Sequence, residues 1–177
     1  PVSYHKTMFR PGEYPPCFLA DEAFFASLKK SPYLINTSRG EVVDNLALHE
    51  ALRRGIVRDA IVDVWENEPD INRELLKQVM IGTPHIAGYS ADGKANATRM
   101  ALDAFCRFFH LEADYRIMPP PPSQPVLRVR NEAEAQLISY NPYTDSRALK
   151  AHPEQFEYLR GHYPLRRELG AYTLIMG

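Results

Sequence analysis

The sequence predicts an α/β protein built on a parallel sheet and followed by a small α+β module. Two observations carry that expectation. Short apolar runs alternate with helix-like segments as far as residue 117, and the runs are continuous, as strands buried on both faces require. The alternation then stops at Pro119-Pro120-Pro121-Pro122, a stretch too stiff to join a helix or a sheet.

The elements follow in order. Asp21 is placed to cap a helix running through Lys30, with Phe24, Phe25 and Leu28 as its apolar stripe. Tyr33-Leu34-Ile35-Asn36-Thr37 is a run of strand formers. Asp44 caps the next helix, whose inner face is Leu48, Ala51 and Leu52 and which Gly55 stops. Ala60-Ile61-Val62-Asp63-Val64-Trp65 is a second buried strand, a short helix covers Arg73–Lys77, and Val79–Gly82 is a third strand. A long helix is expected from about Ser90 to Phe109, with Ala97, Met100, Ala101, Ala104, Phe105 and Phe108 at spacings of three and four.

This pattern divides the chain into residues 1–117, a proline-rich linker over 118–125 and a module over 126–177. In the module, Val126–Arg130 alternates like a strand, helices are expected near Asn131–Ser139 and His152–His162, and Tyr172–Met176 reads as a last strand. Tyr140, Tyr143, Phe156, Tyr158, Tyr163 and Tyr172 give this short segment many rings to bury, which points to self-association.

Composition bounds the function. Apolar residues are 45% and charged residues 24% of the 177-residue chain, as in ordinary globular proteins. A net charge of −1 argues against a nucleic-acid partner, and the apolar runs are too short for a membrane span. Cys17 and Cys106 lack metal spacing, so no metal is expected and a cytoplasmic location is. The opening residues show neither the basic nor the apolar region of a signal peptide.

In an open parallel sheet, ligands bind beyond the carboxyl ends of the strands. Ser38-Arg39-Gly40 follows the first strand, Glu66-Asn67-Glu68-Pro69 the second and Thr83-Pro84-His85 the third. A guanidinium, a carboxylate and an imidazole are thus expected at one edge. Arg39 can grip a substrate carboxylate in a two-pronged bond, and His85 can take a hydroxyl proton as hydride leaves the same carbon. A carboxylate on the other ring nitrogen would orient His85. Singly, each residue reads first as structural: a surface arginine, a turn glutamate, a histidine bonded to backbone. Three such residues at three strand ends favour chemistry, namely oxidation of an alcohol beside a carboxylate.

The run Leu34-Ile35-Asn36-Thr37-Ser38-Arg39-Gly40-Glu41-Val42-Val43-Asp44 resembles the Arg-Gly motif of D-isomer-specific 2-hydroxyacid dehydrogenases. Asp63-Val64-Trp65-Glu66-Asn67-Glu68-Pro69 is similar to their Asp-Val-aromatic motif, and Pro84-His85-Ile86-Ala87-Gly88 to their histidine motif. The resemblance implies the second half of a Rossmann-type sheet and NAD as cofactor. It implies Arg39, Glu68 and His85 as the catalytic set, with Glu66 the competing carboxylate. It also implies that Thr37, Ser38, Arg39, Asp63 and Gly88 line the cofactor.

Within the family, Tyr89-Ser90 and Asp92-Gly93-Lys94 resemble members that oxidise a phosphorylated four-carbon hydroxy acid on the route to pyridoxal phosphate. That likeness implies substrate contacts for Tyr89 and Arg39, and a C-terminal domain that forms a homodimer. The chain departs from the family at His5-Lys6-Thr7, where a His-Thr-Pro is usual and the threonine approaches the cofactor. The rival readings are a phosphoglycerate- or hydroxypyruvate-type dehydrogenase, which would share the same triad, and a non-catalytic NAD-sensing corepressor.

The glycines, at positions 12, 40, 55, 82, 88, 93, 161, 170 and 177, include no Gly-x-Gly pair. The phosphate-cradling turn that opens such a sheet is absent from these residues. The chain therefore reads as the later part of an enzyme, and taken alone it is expected to bind NADH weakly and to be inactive.

Overall fold

The computed structural model describes residues 19–112 and 114–177, which divide into two compact units. His5, Lys6, Thr7 and Cys17 lie outside the described residues.

The first unit runs as far as Ala87 and takes in Pro142–His162. Its centre is a parallel sheet in the order β1 (Tyr33–Asn36), β2 (Asp59–Val62), β3 (Ile81–Gly82). The helices between them are α2 (Asn45–Arg53) and α3 (Arg73–Gln78), with α1 (Glu22–Ala26) ahead of the sheet. Each start is capped, the first two by the residues expected. Asp21 accepts from the N–H of Phe24, Asp44 from those of Leu46 and Ala47, and Asn72 from those of Glu74 and Leu75. The first helix ends at Ala26, short of the expected Lys30.

The second strand is also shorter than its apolar run. The ladder stops at Val62, and Asp63-Val64-Trp65 turns away from it. Trp65 is buried there, its indole N–H donating to the Thr83 carbonyl at 2.9 Å. Gly40 packs so closely on this turn that an added Cβ would lie 1.9 Å from the Trp65 carbonyl oxygen. The glycine after Arg39 is thus required by backbone approach. Gly82 leaves room in the same way for Leu76 and the Trp65 ring.

The core joins Leu48, Val57, Val62, Trp65, Leu75 and Leu76 to Leu149 and Phe156 from far down the chain. Truncating a buried side chain of this size to Ala costs about 2–5 kcal/mol. Leu149 lies on α6 (Pro142–Ala151) and Phe156 opens α7 (Phe156–Gly161). No helix over 142–151 is expected from the periodicity, yet α6 packs on β3, where Ser146 Oγ accepts from the Gly82 N–H at 3.0 Å. This corrects the boundary expected at the prolines. Residues 142–162 bury Leu149 and Phe156 in the sheet's core, while Tyr143 and Tyr158 stay exposed. Phe156 is 1% exposed, so it offers no ring to a partner.

The second unit comprises Gly88–Asn141 and Tyr163–Gly177. Here β4 (Val126–Val129) pairs in parallel with β5 (Thr173–Met176), and α5 (Glu132–Ser139) covers them. Its core is small: Leu127, Val129 and Ala135, with Leu169, Tyr172 and Leu174 against them. The same unit holds α4 (Ala91–Phe109), which ends at His110 in the left-handed conformation with φ 54°. The apolar stripe expected to be buried on α4 is largely exposed. Met100 is 70% and Phe108 77% accessible, and of the helix's residues only Ala95 is buried.

Candidate active site

The carboxyl end of the sheet is shaped by two buried polar side chains. At the end of β1, Asn36 donates from Nδ2 to the Arg39 carbonyl at 3.1 Å and accepts from the Ser38 N–H at 3.2 Å. That loop leaves Thr37 and Arg39 exposed and Ser38 half-buried. The Arg39 guanidinium donates to the Ser38 carbonyl at 2.8 Å.

Beyond β2, Asp63 is 3% exposed. Its Oδ1 accepts from Thr83 Oγ1 at 2.6 Å and from the Ile86 N–H at 2.8 Å, and its Oδ2 accepts from the Ala87 N–H at 3.0 Å. The His85 N–H donates to its carbonyl at 2.8 Å. Asp63 therefore ties the end of β2 to the turn after β3. That turn holds His85 at φ 57°, a left-handed conformation that costs a non-glycine residue about 1–3 kcal/mol and that these bonds sustain. The family resemblance suggests Asp63 for the cofactor's surroundings. In the fold its carboxylate is a structural organiser of the histidine turn.

Asn67 is the other left-handed residue here, at φ 59°, a conformation asparagine tolerates. The turn brings the Glu68 carboxylate back so that Oε1 accepts from the Trp65 N–H and Oε2 from His85 Nδ1, both at 2.8 Å. The two side chains remain 17% and 25% accessible, Glu68 and His85 respectively. With the Nδ1–H directed at the carboxylate, the Nε2 lone pair is left for a proton on a ligand. The competing carboxylate faces elsewhere. Glu66 Oε2 accepts from the Asn45 N–H at 2.6 Å, at the start of α2. Burial pushes the Glu66 carboxyl above its usual range, an effect the Asn45 bond partly offsets and the charges of Asp44 and Glu41 reinforce.

Of the residues singled out in the sequence, the fold thus joins Glu68 to His85 directly, and Arg39 follows β1, the neighbour of the strand that leads to Glu68. Gly88 and Tyr89 belong to the second unit. Gly88 is exposed, and among the described residues nothing beyond its chain neighbours lies within 4 Å of where its Cβ would be. Tyr89 is half-buried, with its ring 6.1 Å from that of Tyr163 and the Lys94 ammonium 4.3 Å from its centroid. Sequence reasoning does not reveal Trp65 and Asn36 as site builders. The signal was a polar or aromatic residue ending each buried apolar run.

An imidazole–carboxylate pair at the carboxyl edge of a parallel sheet, with an arginine loop at the end of β1, is a set of groups able to move a hydroxyl proton and hold a carboxylate. Comparison with known proteins shows what the chain is similar to. Residues 18–87 match the family described as D-isomer specific 2-hydroxyacid dehydrogenase, NAD binding domain. The chain as a whole is similar to a narrower group. It is 59% identical over 174 residues to erythronate-4-phosphate dehydrogenase of Bacteroides thetaiotaomicron, covering 98% of this chain and 50% of that protein. Erythronate-4-phosphate dehydrogenase of Porphyromonas gingivalis is 39% identical over 182 residues, covering 98% and 49%. The chain spans about half the length of the curated relatives it matches. Among solved structures, apo D-mandelate dehydrogenase of Rhodotorula graminis is 32% identical at a TM-score of 0.48, covering 59% of this chain and 32% of that one.

Proposed function

We propose that the protein carrying this chain oxidises 4-phospho-D-erythronate to 3-hydroxy-2-oxo-4-phosphooxybutanoate with NAD, a step towards pyridoxal 5'-phosphate. The observation that carries the chemistry is the 2.8 Å bond between Glu68 and His85 at the sheet's carboxyl edge. The substrate comes from the likeness to the erythronate-4-phosphate dehydrogenases. Bound NAD supplies the hydride acceptor. The exposed Thr37 and the half-buried Ser38, at the carboxyl end of β1, fit the nicotinamide end of such a cofactor, and the family resemblance adds Gly88.

His85 Nε2 takes the proton from the substrate hydroxyl as the hydride leaves the same carbon, and the carbon–oxygen bond becomes a carbonyl. Glu68 keeps the ring's other nitrogen protonated and stabilises the imidazolium that forms. Arg39 grips the carboxylate in a planar, two-pronged bond that lysine cannot reproduce. Tyr89 contacts the substrate, and the protein works as a cytoplasmic homodimer whose C-terminal residues form the interface. Among the described residues no helix is long and apolar enough to cross a membrane.

The test is NADH formation by the full-length protein with 4-phosphoerythronate, against 3-phosphoglycerate and glycerate at equal concentration. Turnover confined to 4-phosphoerythronate is expected. Preference for another acid would make it a different dehydrogenase, and turnover of none would favour the corepressor reading. Light scattering should give twice the chain mass, and a monomer would overturn the dimer.

A further inference from the structure

Tyr89 is placed by residues that lie some 75 positions further along the chain. All the contacts fall within the second unit. Arg167 forks onto Asp92, with Nε to Oδ2 and Nη2 to Oδ1 both at 2.9 Å, and its side chain is 11% accessible. The Glu168 N–H donates to the same Asp92 carboxylate at 2.8 Å. Ser90 Oγ donates to Glu168 Oε1 at 2.6 Å while accepting from the Gly93 N–H at 2.9 Å. The Ala91 N–H donates to the Arg166 carbonyl at 2.8 Å. Tyr163 then lays its ring edge-on to Tyr89, at an interplanar angle of 72°.

A helix start needs one side-chain acceptor, and Ser90 already provides it. The further ion pair, two backbone bonds and ring contact are more than capping asks. Gly93 fits this arrangement, since an added Cβ would come within 2.9 Å of Ser90 Oγ and 3.8 Å of Glu168 Oε1. The two carboxylates also stand at the helix end where negative charge is favoured. The result is a latch of five contacts closing on the residues that directly follow Tyr89.

We propose that the Tyr163–Glu168 segment is part of the substrate site, with Arg167 and Glu168 as positioning residues that set Tyr89 for the substrate. This rests on the substrate role assigned to Tyr89 above. The C-terminal residues thereby serve substrate recognition as well as assembly. Loosening the latch weakens the hold on the acid and leaves the hold on NAD as it was.

The experiment uses the full-length protein and the variants Arg167→Ala, Glu168→Ala and Glu168→Gln. The KM for 4-phosphoerythronate should rise roughly ten- to a hundredfold in both alanine variants, the range for losing a bond to a charged group. The KM for NAD should stay within about twofold of the parent. Glu168→Gln, whose side-chain oxygen can still accept from Ser90, should restore most of the loss. In parallel, 3-fluorotyrosine labelling gives a fluorine resonance for Tyr89, assigned by Tyr89→Phe, which should shift or broaden in Arg167→Ala. An unmoved resonance, an unchanged KM for the acid, or equal defects in Glu168→Gln and Glu168→Ala would each overturn the proposal. If the parent turns over no 4-phosphoerythronate, the functional reading fails and the resonance alone judges the latch.

Discussion

The His85 turn and the Tyr89 turn stand four residues apart in the chain and are held in opposite ways. His85 is fixed by groups at the ends of neighbouring strands: Asp63 beneath it, Glu68 beside it, Trp65 behind them. These sit on a large core that includes Trp65, Leu75 and Phe156. Tyr89 belongs to a unit whose core is Leu127, Val129 and Ala135, and it is fixed by polar contacts from the chain's last residues. Where a core is large, a few buried polar groups suffice to aim a side chain. Where it is small, ion pairs and caps take over.

The sharpest way to break this comparison is at the imidazole. In the full-length protein, His85→Ala should lower turnover by about a hundredfold or more, the range for losing a general base, with NAD affinity retained. Near-normal turnover would mean that the Glu68–His85 bond is only structural.

Removing the organiser beneath the histidine tests whether burial holds the turn. Asp63→Ala removes the acceptor of the buried Thr83 hydroxyl and Ile86 N–H, and of the N–H of the exposed Ala87. Losing the partner of a buried donor costs about 1–3 kcal/mol. Urea unfolding should show a fall in stability of at least that size. A loss below about 1 kcal/mol would show water replacing the carboxylate, and the turn would owe its shape to something else.

The two carboxylates after β2 separate catalysis from packing. Glu68→Gln should cost at least about tenfold in turnover, because an amide N–H facing Nδ1 forces the wrong tautomer. Glu66→Gln keeps an oxygen for the Asn45 N–H and should leave turnover within about twofold. Its effect falls on stability. Burial raises the Glu66 carboxyl, so the folded state binds that proton more tightly than the unfolded chain. The ionised group therefore weakens the fold at neutral pH, and the cost is relieved as pH falls through the raised folded value. The glutamine variant should be at least as stable as the parent near pH 7. Lower turnover in Glu66→Gln than in Glu68→Gln would reverse the assignment.

The same contrast governs what could be read in advance. The strands, the cap residues Asp21 and Asp44, and the ends carrying Arg39, Glu68 and His85 all depend on short-range patterns. The Glu68-over-Glu66 choice rested on resemblance, and it takes coordinates to show why: Asn67 in the left-handed region turns one carboxylate to His85 while the other faces α2. The membership of residues 142–162 in the sheet's core has no local sign, since it depends on Ser146 meeting Gly82, 64 positions away. The α4 stripe has sound helical spacing, but spacing does not say what covers a face. The Asp92–Arg167 pair has no local signature at all.

That pair gives the smallest effect and the most direct check on the Tyr89 side of the comparison. The Arg167 guanidinium holds the Asp92 carboxyl below its ordinary value of 3.8, and the bond from the Glu168 N–H acts in the same direction against partial burial. The folded state thus binds this proton less tightly than the unfolded chain does. The stability it contributes is present in full above the unfolded value and is lost as pH falls through the depressed folded one. In Asp92→Asn that component is absent at every pH. The surface carboxylates Glu74, Glu134 and Glu154 titrate alike in parent and variant, so they cancel in the difference. Urea midpoints measured from about pH 7 down to about pH 3 should therefore show a constant gap between the two proteins at first. The gap should then narrow below about pH 4, the ordinary range of an aspartate. A gap that does not change with pH would mean that Asp92 and Arg167 are not paired in solution, and the second unit would then lack the ionic latch that sets it apart from the first.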